Sequence, residues 1–223
     1  METSRRNVMR RQILPAALLL IPCAVSLPAK AYGAKQQTRT ATLVDQLQKV
    51  ETSDKATEEL LRLSKLEPET RKALAVALPA IIAKGPNSQE GWHNAVKLAA
   101  TLKVVEAIPS LVKWMDYDGS SFILGGLGMS PNQFPAAWAL IQIGDPSVPA
   151  LAAVLAGPDQ QTPRQADHRK QASIETLQQL GTPAARKALE EALPHQTDDR
   201  IVQEIKQSLR TMPRRSPTSA VPQ

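Results

Sequence analysis

The stretch AAWALIQIGDPSVPALAAVLAG, Ala136 to Gly157, decides the fold. It reads as two short helices hinged at Gly144, Asp145 and Pro146. On the first, Phe134, Ala137, Trp138, Leu140 and Ile141 recur at three- and four-residue steps. On the second, Val148, Leu151, Ala152 and Leu155 do the same, so both carry an apolar stripe. Gly144 permits the left-handed backbone that closes a helix, Asp145 offers a side-chain oxygen to cap the next one, and Pro146 suits a first helical position. One hairpin cannot hide both stripes, which predicts neighbours of its own kind and a stacked array.

Outward from this unit the same signals return. Leu43, Val44, Leu47 and Val50 give a first stripe. Ser53 or Asp54 can cap a second helix carrying Ala56, Leu60, Leu63 and Leu66, and Pro68 opens a third with Leu74, Leu78, Ile81 and Ile82. Ser88 opens a fourth that runs to a break near Lys103, followed by Val105 to Met115. Ile108-Pro109-Ser110-Leu111 echoes Val148-Pro149-Ala150-Leu151, and Leu78-Pro79-Ala80-Ile81 echoes it again. These predict second-helix openings spaced by roughly thirty to forty residues. Gly181, Thr182 and Pro183 repeat the turn before a helix with Ala185, Ala188, Leu189 and Ala192. A last helix, Asp198 to Leu209, opens on acidic residues that suit its dipole.

The central unit resembles a HEAT-like repeat of the phycobilisome lyase type, through Ala139 to Ile143, then Gly144 to Pro146, then Val148, Pro149 and Leu151. The resemblance implies an α-solenoid that usually serves as a protein interaction module and occasionally as a bilin lyase. The expected fold is therefore all-α, an α-solenoid of about four HEAT-like hairpins over residues 40–211 with an extra helix at each end.

Residues 1–31 read as an export signal: a basic start, an apolar run from Ile13 to Leu27, and the small residues Ala29 and Ala31, which predict cleavage after Ala31. Ala34 offers a second cut. Ser4 to Met9 resemble the twin-arginine pattern, with Val8 and Met9 where Phe and Leu are commonest, and the general secretory route stays open because Arg10 and Arg11 make the whole region basic. Either route predicts a periplasmic or extracellular mature chain. An uncleaved leader would instead tether it to a membrane, the only membrane association foreseen.

The leader also holds Arg5, Arg6, Arg10, Arg11 and Lys30 against Glu2, which is +4 of the total +6 and leaves +2 on the mature chain. The basic pI of 9.6 thus belongs mostly to the leader and does not argue for nucleic acid. The single cysteine, Cys23, lies in the leader, so the mature chain forms no disulfide and must rest on packing. Residues 32–39 read as a flexible lead-in and residues 212–223, rich in Pro, Ser and Arg, as a disordered tail.

The connection Asp116 to Pro131 is longer than the two to eight residues usual between helices. Trp114, Tyr117, Phe122, Phe134 and Trp138 lie in or beside it, in a chain that is only 3% aromatic. One reading is a partner-binding loop; the other is that Phe122 to Leu124 fold back over the core. The candidate partner-binding residues are Lys113, Trp114, Tyr117 and Phe122, with Arg186 and Lys187 from a later second helix. Asp116, Asp118 and Gly119 look faintly like a calcium loop, but the glycine falls too early and Leu127 replaces the final Glu. Gly126-Leu127-Gly128 lacks the strand and lysine of a phosphate cradle. His93, His168 and His195 are far apart, and the acidic pairs Glu58-Glu59, Glu190-Glu191 and Asp198-Asp199 point in diverging directions. The expected function is a monomeric, exported, non-catalytic scaffold for an unknown protein partner, with no cofactor, metal or nucleic acid. The alternative is an enzyme or maturation factor resembling the bilin lyases.

Overall fold

The computed structural model describes residues 27–49, 51–86, 89–118, 133–157 and 163–212. Residues 1–26, where the export signal was expected, Phe122 with the rest of 119–132, and residues 213–223, where the tail was expected, lie outside them. The described residues form ten α-helices and no strand. They are α1 (Leu27–Leu47), α2 (Ser53–Leu66), α3 (Pro68–Ala83), α4 (Gln89–Leu102), α5 (Ile108–Lys113), α6 (Pro135–Ile143), α7 (Val148–Ala156), α8 (Pro163–Leu180), α9 (Pro183–Ala192) and α10 (Asp199–Thr211).

They stack in two rows. Helices α2, α4, α6, α8 and α10 each pack on the next, as do α3, α5, α7 and α9, while α1 lies against α2 and α3 at one end. This is an all-α solenoid of four hairpins, with α1 and α10 as the extra terminal helices. One continuous apolar core runs between the rows, in which Leu60, Leu78, Leu98, Leu140, Leu151 and Leu177 are fully buried. Removing each such side chain from water is worth about 1.5–3 kcal/mol.

The turns show why the chain breaks where it does. At Gly144 (φ +93°, ψ −148°) the backbone enters a region open essentially to glycine alone, and the chain turns by 116° into α7. Asp145 does not cap α7 through its side chain as its position suggested. Asp145–Ser147 instead form a 3-10 turn closed by the Ser147 N–H on the Gly144 carbonyl, while the buried Ser147 hydroxyl donates to the Leu140 carbonyl at 3.0 Å. Val105–Ala107 build the matching turn before α5, with the Ala107 N–H on the Val104 carbonyl. There the left-handed residue is Lys103 (φ +52°), and the pair Lys103 N–H to Ala100 and Val104 N–H to Ala99 makes a Schellman ending. At the third turn Gly181 (φ +62°) ends α8, and Thr182 Oγ1 accepts from the Ala185 N–H at 3.2 Å to start α9.

Three expectations change. Pro79 lies inside α3, not at a second-helix opening, because Leu74, Leu78 and Ile82 on either side of it are fully buried and hold the helix through the break. Residues 32–39 are helical backbone within α1, not a separate lead-in. Met212, expected to begin the tail, is buried and packs into the core.

Both helix endings predict stability effects of opposite sign. Gly144→Ala meets no atom within 4 Å of the new Cβ, so its cost is conformational, about 1–3 kcal/mol. Lys103→Gly relieves a left-handed residue and gains about 0.5–1 kcal/mol. Urea unfolding of the two variants checks both signs, and a neutral Gly144→Ala would show that this turn does not require its glycine.

Candidate interaction surface

The aromatic and cationic candidates are placed by the stack itself. Trp114 follows α5 and lies over Gly85 at the end of α3, so closely that a Cβ on Gly85 would come within 2.4 Å of the ring. Lys113 Nζ sits 5.0 Å from the Trp114 ring centroid and 3.4 Å from the Ala83 carbonyl. Tyr117 packs edge-on against Trp92, with centroids 5.4 Å apart, and His93 joins them at 5.2 Å from Trp92. Arg186 Nη2 donates to the carbonyls of Leu209 in the last turn of α10 (2.8 Å) and of Met212 just after it (3.1 Å), and Lys187 pairs with Glu191 at 3.5 Å on exposed surface. Lys113 and Trp114 on one side and Arg186 and Lys187 on the other are separated by α7, so the structure does not bring the two groups together. Phe122 is outside the described residues.

The residue that sequence reasoning missed is Trp92. It is fully buried, its Nε1–H donates to the Ile82 carbonyl at 3.1 Å, and it is the centre on which Tyr117 and His93 converge. Its neighbour Gly91 shows why it fits: a Cβ there would lie 2.7 Å from the Leu47 carbonyl oxygen at the end of α1.

Two hollows lie on either side of α8. One hollow of about 320 Å³ is bounded by α8 and α10, with Gln171, Glu175, Gln178, Gln203, Glu204 and Gln207 in its walls. A second of about 210 Å³ is bounded by α8 and the ends of α5 and α6, through Asp116, Phe134 and His168, and shares Gln171 and Glu175 with the first. Burial, followed by repulsion from Glu204, holds the Glu175 carboxyl above its ordinary range. Burial and then Asp198 do the same for Glu204, with Arg200 partly offsetting the effect. Glu204 Oε2 is buried and accepts no hydrogen bond. Gln178 is committed to bracing the two helices, accepting from Ser208 at 3.0 Å and donating to Thr211 at 2.9 Å. Among the described residues no group of three His, Cys, Asp or Glu converges to hold a metal ion.

Residues 136–157 match the family described as PBS lyase HEAT-like repeat, which covers α6, the Gly144 turn and α7. No curated protein and no solved structure matches the chain. What is shown is thus a HEAT-like unit at the centre of a longer helical array.

The raised Glu204 sets a pH signature. Below about pH 4.5 its carboxyl is protonated folded or unfolded and costs nothing; as pH rises past that value, ionisation is harder in the folded chain and stability falls. Glu204→Gln is expected to raise Tm at pH 7, with the gain shrinking to nothing near pH 4. A lower Tm at pH 7 would mean that the carboxylate is instead held by a stabilising partner.

Proposed function

We propose that this chain is an exported, non-catalytic scaffold that binds another protein along its repeat array. The observation that carries the reading is the two-row stack itself, built around a HEAT-like unit at 136–157. Such an array presents extended surface assembled from many helices, and its long edges suit macromolecular partners better than a small enclosed substrate. That surface carries the reading, since one fold serves many functions.

Export rests on the leader. Cleavage after Ala31 falls within the backbone of α1, and among the described side chains α1 is docked by Arg39 with Glu59, Thr40 with Thr70 at 3.3 Å, and buried Leu47, all beyond the cut. Processing therefore leaves these contacts of α1 in place. The mature chain, with a charge near +2 and no cysteine, depends on no disulfide in an oxidising compartment.

A C-terminally tagged chain expressed in a bacterium is expected in the periplasmic or secreted fraction with Tyr32 as its first residue, and cross-linking there is expected to capture a protein partner. A cytoplasmic chain beginning at Met1 would overturn the export reading. Recovery of nothing beyond an untagged control would overturn the scaffold reading.

A further inference from the structure

We propose that the two hollows flanking α8 form one groove for an extended, arginine- or lysine-bearing segment of a partner protein. Its cationic side chains would seat against Asp116, Glu175 and Glu204. This names the partner chemistry of the scaffold and rests on that reading.

The hollows share Gln171 and Glu175 on α8, so a chain crossing that helix touches both. Neither is lined by a lysine or arginine, although the chain after the leader still has a net charge near +2. Three carboxylates therefore dominate the lining of a chain whose charges are otherwise nearly balanced. They do not converge on a point, since no metal-holding group of three forms among the described residues, and a ligand with charge spread along its length fits where a single ion does not. A polyanion is excluded by sign.

The polar remainder of the lining suits a peptide backbone. Gln203 and Gln207 sit one turn apart on α10 and face Gln171 across the hollow. A primary amide offers both a donor and an acceptor, the pair that an extended backbone presents. Cationic side chains arriving at Glu204 would also offset the repulsion between Glu175 and Glu204.

Neighbouring helices in one row lie about 8–10 Å apart, so the path from Asp116 across α8 to Glu204 is roughly 20 Å. An extended segment of about six or seven residues covers that span. Alternate side chains of such a segment face the same way, so the matching probe is a fluorescein-labelled heptapeptide, Arg-Ala-Arg-Ala-Arg-Ala-Arg.

Fluorescence anisotropy with the full chain is expected to show binding of this peptide and none of its Glu-for-Arg counterpart. Glu175→Gln/Glu204→Gln is expected to weaken binding by about tenfold or more, as loss of two charge-assisted contacts implies. Glu58→Gln/Glu106→Gln, which removes the same charge from exposed sites elsewhere, is expected to bind as the parent does. Thermal melts confirm that both pairs fold. No binding by the parent, or equal weakening by the two pairs, would overturn the groove. Capture of a partner that is unaffected by the Glu175→Gln/Glu204→Gln pair would overturn the groove while leaving the scaffold intact.

Discussion

Short helices leave many ends, and each end carries backbone carbonyls with no partner inside its own helix. In this array those carbonyls are met from neighbouring helices, and that requirement disciplines the stack. Arg71 of α3 donates to the Leu102 carbonyl ending α4, and Arg186 of α9 donates to the Leu209 carbonyl near the end of α10. Both arginines stand three residues after the proline that opens their helix, so one local pattern, Pro-x-x-Arg, performs the same cross-helix capping near the two ends of the array. Trp92 serves the Ile82 carbonyl, Arg169 the Val112 carbonyl and Gln196 the Leu155 carbonyl. Apolar stripes bring the helices together without much choice of register; these bonds supply it, because a donor that slides by one turn leaves a carbonyl unpaired at about 1–3 kcal/mol.

The legible part of the fold was local. Three- and four-residue apolar spacing marked the stripes, and Gly181-Thr182-Pro183 announced a turn that the structure builds from a left-handed glycine and a threonine cap. What misled was a motif with two structural meanings. Val148-Pro149 and Ile108-Pro109 open helices after 3-10 turns, but Leu78-Pro79 has no such turn before it and stays inside α3. A proline removes one N–H in either setting, and tertiary burial of Leu74, Leu78 and Ile82 decides which occurs. Asp145 was misassigned for a similar reason: Ser147, two residues on, makes a buried bond to the Leu140 carbonyl that no neighbouring residue announces.

The surface was much less legible. Aromatics near a long connection suggested a contact site, yet Trp114 lies on Gly85 and Tyr117 on Trp92, which spends both rings on joining α3, α4 and α5. The telling sign was the glycine and not the tryptophan, since only a residue without a Cβ admits a ring so closely. The groove along α8 has no local signature at all. Its glutamines and glutamates belong to helices separated by some thirty residues, and the bond from Ser208 to Gln178 shows that the pairing exists only once the two helices are stacked.

The sign of the groove matters more than the charge of the whole chain. At physiological ionic strength the Debye length is about 8 Å, so an approaching segment senses the lining of a hollow and little of the net positive charge beyond it. Walls of low polarisability then focus the field of the carboxylates into the hollow. Ile174 and Phe134 contribute such walls, one to each side of α8. Partial burial raises the cost of ionising Glu204 in the free protein, and the same partial burial strengthens its attraction for a cation that displaces the remaining water. The two effects have one origin, so the carboxyl that weakens the isolated array is also the one with the most to gain from a cationic partner.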